Sequence, residues 1–214
     1  MKLGVVAGVV AAVIVAGGAA YLVRGLAPSA DAVAEGKAFT LANNQMMRDI
    51  ADGAPLTGDA DADFARLMIT HHRSAVDMAR IELQYGGDQA VLGLAKRIAA
   101  QQSEIDQLTA WQKTHPTTAP ASAAADGAAA NAAYATASDR MMSGMMGDSM
   151  AHSGNADRDF VKMMIPHQQG AIDMANVQLR YGGDPELKAL AQKVVSTGQS
   201  EIAEMNAWLK TNGG

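Results

Sequence analysis

The 214-residue sequence contains no cysteine, which excludes disulfide bonds, thiolate metal ligands and catalytic cysteines. Aromatic residues make up only 4 %, whereas alanine, leucine and methionine are frequent, a composition that favours helices over sheets. Lysine and arginine number 17 against 22 aspartates and glutamates, so the chain lacks the basic excess that recognises nucleic acid. Methionine, in contrast, is abundant, with 14 residues.

The N-terminal segment has the pattern of a targeting sequence. Lys2 precedes an uncharged run over residues 3–23, which is long enough to cross a bilayer as a helix. We therefore predict a signal anchor in residues 1–26, with a cleavable signal peptide as the alternative. Both interpretations leave Lys2 inside and export the rest of the chain. The sequence thus predicts a periplasmic or other extracytoplasmic protein, held in the inner membrane by residues 3–23.

The remaining sequence contains a tandem repeat. Asp61-Ala62-Asp63-Phe64 recurs as Asp157-Arg158-Asp159-Phe160, an offset of 96 residues. Other pairs at this offset are Met46 with Met142, Met68 with Met164, His71 with His167, and Tyr85 with Tyr181. Further along, the offset becomes 97, as for Glu104 with Glu201 and Trp111 with Trp208. The repeat indicates an internal duplication.

Each copy predicts a short first helix followed by a helical hairpin. We assign the two helical modules to residues 34–115 and 134–211 and a flexible linker without periodicity to residues 116–133. A single hairpin cannot bury its own apolar stripe. Two hairpins that face each other predict an all-α fold, a four-helix bundle made of two duplicated modules.

Several residues predict the local backbone of these helices. Asp61 or Asp63, and the matching pair in the second copy, are expected to cap the second helix. Gly86-Gly87 is expected to end that helix in a left-handed conformation. The third helix of the second copy contains one extra residue, which predicts a π-bulge or loosened turn near Thr197-Gly198.

A methionine and a histidine recur together on the inward face of the second helix. Met68 and His71 are three residues apart and therefore neighbours on a helix surface, as are Met164 and His167. Methionine at helical spacing is usually core, and a buried histidine can be satisfied by a carbonyl or a carboxylate. The same pairing in both copies nevertheless favours a soft metal site, because thioether and imidazole together suit Cu(I).

The segment from Met141 to His152 is the most specific indication of copper. It contains five methionines and one histidine within twelve residues, together with two glycines and two serines. We predict a flexible, exposed cluster of soft ligands, since Gly144 and Gly147 weaken a helix there. The alternative is a helix end on which Met142 and Met146 pack against the bundle.

The motif Met-Ile-x-His resembles that of a known family. Met68 to His72 and Met164 to Ala175, followed in each copy by a Gln-x-x-Glu-Ile or Gln-x-Glu-Ile stretch and a tryptophan, are similar to the bacterial exported family known as domain of unknown function number three hundred and five. The resemblance implies a ferritin-like bundle and periplasmic copper binding through methionine and histidine, with His72 as a further ligand. Thr70 replaces the family's proline and Gln168 its second histidine.

The sequence therefore predicts an exported protein that sequesters or hands on Cu(I) and has no catalytic activity of its own. A ferritin-like metal-dependent oxidase and a structural envelope module without metal remain the alternatives. The predicted metal ligands are Met46, Met47, Met68, His71, His72, Met141, Met142, Met145, Met146, Met150, His152, Met164 and His167.

Overall fold

The computed structural model of the chain is built mainly from helices. It describes residues 29–116, 125–146 and 152–212 in full, and the backbone of residues 12–16 and 19–23. The elements in chain order are β1 Ala12–Ala16, β2 Ala19–Val23, α1 Ala30–Ala51, α2 Ala60–Tyr85, α3 Gln89–Ala99, α4 Gln102–Thr114, α5 Ala125–Met145, α6 Ala156–Tyr181 and α7 Pro185–Asn212. The prediction of a helical protein is confirmed for the residues after Ser29.

The N-terminal segment differs from the predicted helix. Strands β1 and β2 pair antiparallel, with Ala12 opposite Val23 and Ala16 opposite Ala19. The run is rich in valine and isoleucine, which favour strands, and Gly17-Gly18 is a typical hairpin sequence. The other residues of the predicted helix lie outside the described part. Among the helices that the structure describes, none combines the length and the apolar character needed to span a bilayer.

Helices α2 and α6 connect all the others. They contact each other, α2 also contacts α1, α3 and α4, and α6 also contacts α5 and α7. Buried apolar side chains from all seven of these helices form one continuous core. Any group on the shared face of α2 and α6 is therefore remote from solvent.

Helix α5 extends further than the sequence indicated. It begins at Ala125, inside the segment predicted as linker, and residues 117–124 lie outside the described part of the chain. The added turn is rich in alanine, the residue with the highest helix propensity. The module boundaries at 115 and 134 stay predictions.

The helix caps differ from the predicted ones. Asp59 caps α2 and Asn155 caps α6. Asp63 instead accepts a hydrogen bond from the backbone N–H of Thr57 at 2.9 Å, and Asp159 has the same role in the second copy. These carboxylates therefore fix the loop before each helix, a role that spacing alone does not distinguish from capping.

Asp61 and Asp157 connect the two copies. Asp157 accepts hydrogen bonds from the backbone N–H groups of Gly87 and Asp88, at 3.1 and 2.9 Å. Asp61 accepts from the matching amides at residues 183–184, at 2.9 and 3.1 Å. Each carboxylate thus holds the turn between the second and third helices of the other copy, so the repeated Asp-x-Asp-Phe motif ties the copies together.

The turn after α2 requires glycine for a different reason from the one predicted. Gly86 has φ −71° and ψ 157°, so the left-handed prediction is wrong. A Cβ atom at this position would lie 1.9 Å from Oε1 of Glu82, which folds back over the turn. At Gly182 a Cβ would meet Gln178 in the same way. The glycines therefore make room for a buried side chain.

Glu82 and Gln178 occupy matching positions with different chemistry. Glu82 is buried, and its carboxyl group lies against the carboxyl group of Asp157. Burial, reinforced by the nearby carboxylate of Asp157, raises the pKa of Glu82 to about 9. Gln178 instead donates a hydrogen bond of 2.5 Å from Nε2 to Oδ1 of Asp61. In the second copy an amide therefore fills the space over the turn and donates to an aspartate, with no group that titrates.

The extra residue of the second copy is absorbed without a bulge. The prediction of a π-bulge near Thr197-Gly198 is wrong, because α7 is one unbroken α-helix. The first copy contains the irregularity, where its third helix divides into α3 and α4. Around this division the N–H groups of residues 100, 101, 103 and 104 bond the carbonyl three residues earlier. This tighter winding compensates for the residue that the first copy lacks.

Replacement of Gly86 by alanine is expected to lower the free energy of unfolding by about 2 kcal/mol, because the new Cβ displaces Glu82 from its buried position. Gly93→Ala is the control, since the nearest neighbouring atom lies 4.0 Å from a Cβ built there. This change in α3 should raise stability by about 1 kcal/mol through helix propensity. Urea unfolding measures both, and effects of the same sign would contradict the assignment.

The pKa of Glu82 predicts that Glu82→Gln stabilises the protein at alkaline pH. The native pKa lies above the ordinary 4.5, so the stabilisation by the bound proton is complete below pH 4.5 and is lost as the pH rises towards 9. Glutamine removes this loss and should raise the free energy of unfolding by at least about 1 kcal/mol at pH 8. At pH 4.5 the difference should be small. Asp77→Asn, at an exposed position, should show no such pH dependence.

Candidate metal centre

Two histidines meet at the contact between α2 and α6. The rings of His71 and His167 are stacked, with centroids 3.8 Å apart and planes inclined by 30°. Both side chains are buried. The structure therefore brings together the two histidines that the sequence placed at equivalent positions of the repeat.

Reciprocal hydrogen bonds fix the orientation of both rings. Nε2 of His71 donates to the backbone carbonyl of His167 at 2.9 Å, and Nε2 of His167 donates to the carbonyl of His71 at 3.3 Å. A carbonyl oxygen can only accept, so the proton of each neutral ring is on Nε2 and Nδ1 has a lone pair. Neither Nδ1 atom has a hydrogen-bond partner.

Burial keeps both imidazoles neutral. It lowers the pKa of His71 well below the ordinary 6.5 and the pKa of His167 to about 3. Their mutual proximity lowers the pKa of His71 further. A neutral imidazole with a free ring nitrogen is the form that binds a metal ion.

Thioethers are present in the same interior. Met68 and Met164 precede the two histidines by one helical turn and are fully buried. Met46 of α1 and Met141 of α5 are also buried and belong to the same core. With the fully buried Met145, five of the predicted methionine ligands thus lie in the buried core.

The first helices of the two copies match at an offset of 95, not 96. Phe39 and Met46 on α1 are buried, and so are Tyr134 and Met141 on α5. Met141 is therefore the counterpart of Met46, and the half-buried Met142 is not. The loop after each first helix absorbs the difference, which sequence matching could not locate.

The described part of the methionine-rich segment, residues 141–146, is not the flexible, exposed cluster that we predicted. Met141 and Met145 lie on α5 and are buried, Met142 is half-buried, and the side chain of Met146 is 66 % exposed. Met150 lies outside the described residues. The alternative of packing on the bundle therefore holds for the first part of the segment, with Met141 and Met145 as the packed pair.

Close packing of α5 on α6 explains why the helix continues. A Cβ at Gly144 would lie 3.0 Å from Cβ of Pro166, and a Cβ at Gly170 would lie 2.7 Å from Sδ of Met141. Gly144 therefore permits a close approach of the helices instead of ending α5. Pro166 and Gly170 flank His167 along α6, so Met141 lies within one helical turn of that histidine.

His72 has a separate environment. Its Nε2 donates to Oε2 of Glu104 at 2.9 Å, and Lys193 Nζ lies 2.9 Å from the other oxygen of Glu104. In the second copy Gln168 donates to Glu201. The replacement of the family's second histidine by Gln168 thus preserves a hydrogen bond to a glutamate, and His72 contacts a carboxylate instead of joining the stacked pair.

The sequence did not identify Glu104 and Glu201 as members of this region. Burial raises the pKa of Glu104, but hydrogen bonds from His72 and Lys193 outweigh it and lower the pKa to about 2. Both glutamates line a polar cleft of about 640 Å³ together with His72 and Lys193. In the sequence, only the recurrence of these glutamates in each copy pointed to a role near the histidines, and solvent-exposed glutamates can recur in the same way.

His152 lies apart from the buried Met46 and the half-buried Met47 of α1. His152 contacts Thr40 in the middle of α1, whereas Met46 and Met47 are near the C-terminal end of this helix. About two turns of helix separate the two places. His152 therefore does not complete a site with the buried methionines of α1.

Comparison with known proteins gives one family and one group of solved structures. The family model described as "Domain of unknown function (DUF305)" matches residues 61–209. No curated protein matches the chain.

The similar solved structures include several forms of CopM. CopM in the Ag-bound form (by soaking) is 28 % identical, with a TM-score of 0.54, and the match covers 72 % of this chain and 98 % of that one. CopM in the Cu(I)-bound form is 26 % identical, with a TM-score of 0.53 and the same coverage of 72 % and 98 %. A DUF305 fragment from Deinococcus radiodurans is 24 % identical, with a TM-score of 0.50 and coverage of 74 % and 99 %, a likeness of fold alone.

Proposed function

The chain belongs to the DUF305 family, and we propose that it is a copper-binding protein that sequesters or hands on Cu(I) as cargo. The similarity to CopM, which was solved in Ag-bound, Cu(I)-bound and Cu(II)-bound forms, supports the binding of copper by this fold. Methionine and histidine side chains supply the ligands in this proposal, and no chemical transformation of the ion is needed.

The observation on which the proposal rests is the pair of unpartnered Nδ1 atoms on His71 and His167. Leaving a buried acceptor without a donor costs about 1–3 kcal/mol. Two such acceptors come from matching positions of α2 and α6, and both rings are held in the neutral form. A metal ion that accepts their lone pairs would offset this cost without adding a proton.

The choice of Cu(I) follows from the other groups in the same core. Met68 and Met164 offer thioethers one helical turn from the imidazoles, and Met46 and Met141 are buried in the same cluster. Thioether and neutral imidazole are soft and borderline ligands that favour Cu(I) over harder divalent ions. An uncharged ligand set also suits a monovalent ion, since a buried divalent charge would need carboxylates.

The partly exposed methionines have a different role in this proposal. Met47 and Met142 are half-buried and Met146 is exposed, so they form the outer part of a methionine path that leads to the core. Met145 continues this path inside α5, and Met150 stays a sequence prediction. His72 and His152 are left out of the copper site, because each is close to a carboxylate.

We further propose that α2, α3–α4, α6 and α7 form a four-helix bundle of two duplicated modules related by an approximate two-fold axis. Three reciprocal contacts support it. These are the two histidine–carbonyl bonds, the two aspartate–turn contacts, and the matching pairs of His72 with Glu104 and Gln168 with Glu201. A crystal structure with the two modules apart would contradict this arrangement.

We also propose that the protein works outside the cytoplasm. Lys2 and the uncharged run that follows it support export with the N-terminus inside. Fractionation of cells that express the full chain should place it outside the cytosol and accessible to protease from the periplasmic side. Recovery from the cytosol would contradict the proposal.

The copper site predicts a specific loss of affinity when sulfur is removed beside the histidines. Met68→Leu with Met164→Leu keeps the apolar bulk, so the fold should survive, while the Cu(I) affinity should fall at least about 10-fold. Anaerobic competition with a colorimetric Cu(I) chelator measures the affinity. His71→Gln with His167→Gln should lower it as strongly, because the imidazole lone pairs are lost.

The chain offers a matched control for this experiment. Met78 and Met174 are equally buried on α2 and α6, but lie about two helical turns from the histidines. Their replacement by leucine should leave Cu(I) affinity unchanged. Met142→Leu with Met146→Leu should slow uptake with little change in affinity. Equal copper binding by the Met68/Met164 variant, the histidine variant and the wild type would refute the proposed site.

A further inference from the structure

Three potential metal ligands converge at a second place, remote from the stacked histidines. Glu35 lies on α1, His152 precedes α6, and Asp159 lies in the first turn of α6. One ligand atom of each, a carboxylate oxygen or a ring nitrogen, lies within 4.8 Å of the other two. None of the three belongs to the copper site proposed above.

Asp159 is held in place by the loop before α6. Its carboxylate accepts hydrogen bonds from the backbone N–H of Ser153 at 2.9 Å and from the Ser153 hydroxyl at 2.6 Å. The side chain is buried. These donors favour the charged form of the carboxylate, so one fixed negative group is present.

The orientation of His152 leaves a lone pair directed towards that carboxylate. The hydroxyl of Thr40 donates its one hydrogen to the carbonyl of Gly36 at 2.9 Å. Its oxygen must therefore accept from Nε2 of His152, which lies 2.8 Å away. In the neutral ring Nδ1 then has no proton, and it lies 3.6 Å from Oδ2 of Asp159.

Glu35 completes the cluster with a third acceptor. Its side chain is only 1 % exposed, and its carboxyl group lies against the carboxyl group of Asp159, without a nitrogen or hydroxyl donor among the described residues. Burial and the neighbouring Asp159 raise the pKa of Glu35 to about 7. Three electron-pair donors thus face one another in a partly buried place, an arrangement that a cation would stabilise.

The related position of the repeat shows that the fold does not need these groups. There Leu56 stands in place of His152, and Ala130 of α5 in place of Glu35. Asp63, the counterpart of Asp159, accepts from Thr57 in the same way and pairs with Arg66 at 3.3 Å. The loop is therefore held without the histidine and the glutamate, which appear in one copy alone.

We propose that Glu35, His152 and Asp159 form a binding site for a divalent transition-metal ion of the zinc type. Two carboxylate oxygens and one imidazole nitrogen are ligands that Zn²⁺ accepts in proteins, and they are harder than the methionine–histidine set. The bond from His152 to Thr40 has the role of the outer hydrogen bond that orients a metal-binding histidine. A cavity of about 130 Å³, lined by Glu35, Tyr85 and Gly154, adjoins the cluster on the side of the glutamate.

Isothermal titration of the untagged full chain with Zn²⁺ tests the site. The wild type should bind one equivalent that is lost, or weakened at least about 10-fold, in His152→Leu and in Glu35→Gln. His152→Leu introduces the residue of the related position, so the metal-free thermal midpoint should not fall. The Met68→Leu, Met164→Leu variant should keep the zinc equivalent, which separates this site from the copper proposal. A wild type without this equivalent, or unchanged zinc binding in both variants, would overturn the inference.

A second pair of variants keeps the test decisive if His152→Leu fails to fold. Thr40→Val removes the acceptor of His152 without touching a ligand and should weaken zinc binding about 10–100-fold. Thr136→Val is the matched control, because Thr136 on α5 also donates to the carbonyl four residues earlier, at 2.8 Å. It should leave the affinity unchanged. Equal affinities in the two variants would show that His152 is not a ligand.

Discussion

The contact between α2 and α6 is the constraint on which the rest of the structure depends. At this contact each imidazole donates to a backbone carbonyl of the opposite helix. His71 and His167 therefore each supply both a donor, the ring N–H, and an acceptor, the carbonyl. The same exchange recurs at the helix starts, where Asp61 and Asp157 bind the opposite turns. Because these bonds are reciprocal, neither helix can shift along the other without breaking a pair. The buried lone pairs of the histidines are a direct result of that geometry.

The sequence predicted those features that depend on neighbours along the chain. Family membership is confirmed, the described residues after Ser29 are mainly helical as predicted, and Asp88 caps α3 through hydrogen bonds to amides two and three residues further on. The predictions from the sequence were wrong where a residue's hydrogen-bond or packing partner is distant along the chain. Asp61 is a residue type that often caps helices, but here it binds the turn of the other copy. Gly86 is needed because a Cβ there would collide with the side chain of Glu82. The contact between His71 and His167 could be inferred from their equivalent positions in the repeat. The partners of Glu104 and Glu35 could not be inferred from the sequence.

Several matching positions of the sequence repeat have the same structural role but different side-chain chemistry. His72 and Gln168 both donate to a glutamate, and Glu82 and Gln178 both lie over a turn glycine. In each pair one copy has a titratable group and the other an amide. The amide is sufficient for the structural role, so the fold does not require the titratable side chain at the matching position. The metal-type cluster around His152 follows the same rule, since its counterpart Leu56 leaves the loop intact.

The burial of the methionines sorts them by their vulnerability to oxidants. A thioether that becomes a sulfoxide turns polar and can no longer act as a soft ligand or pack in a core. Of the methionines with described side chains, Met146 is the one classed as exposed, at 66 %, while Met68, Met141 and Met164 lie inside. Among the methionines with described side chains, Met146 is therefore the first to meet an oxidant. Its sulfoxide would remain in solvent and leave the packed core intact, whereas the buried thioethers become accessible only when the bundle opens.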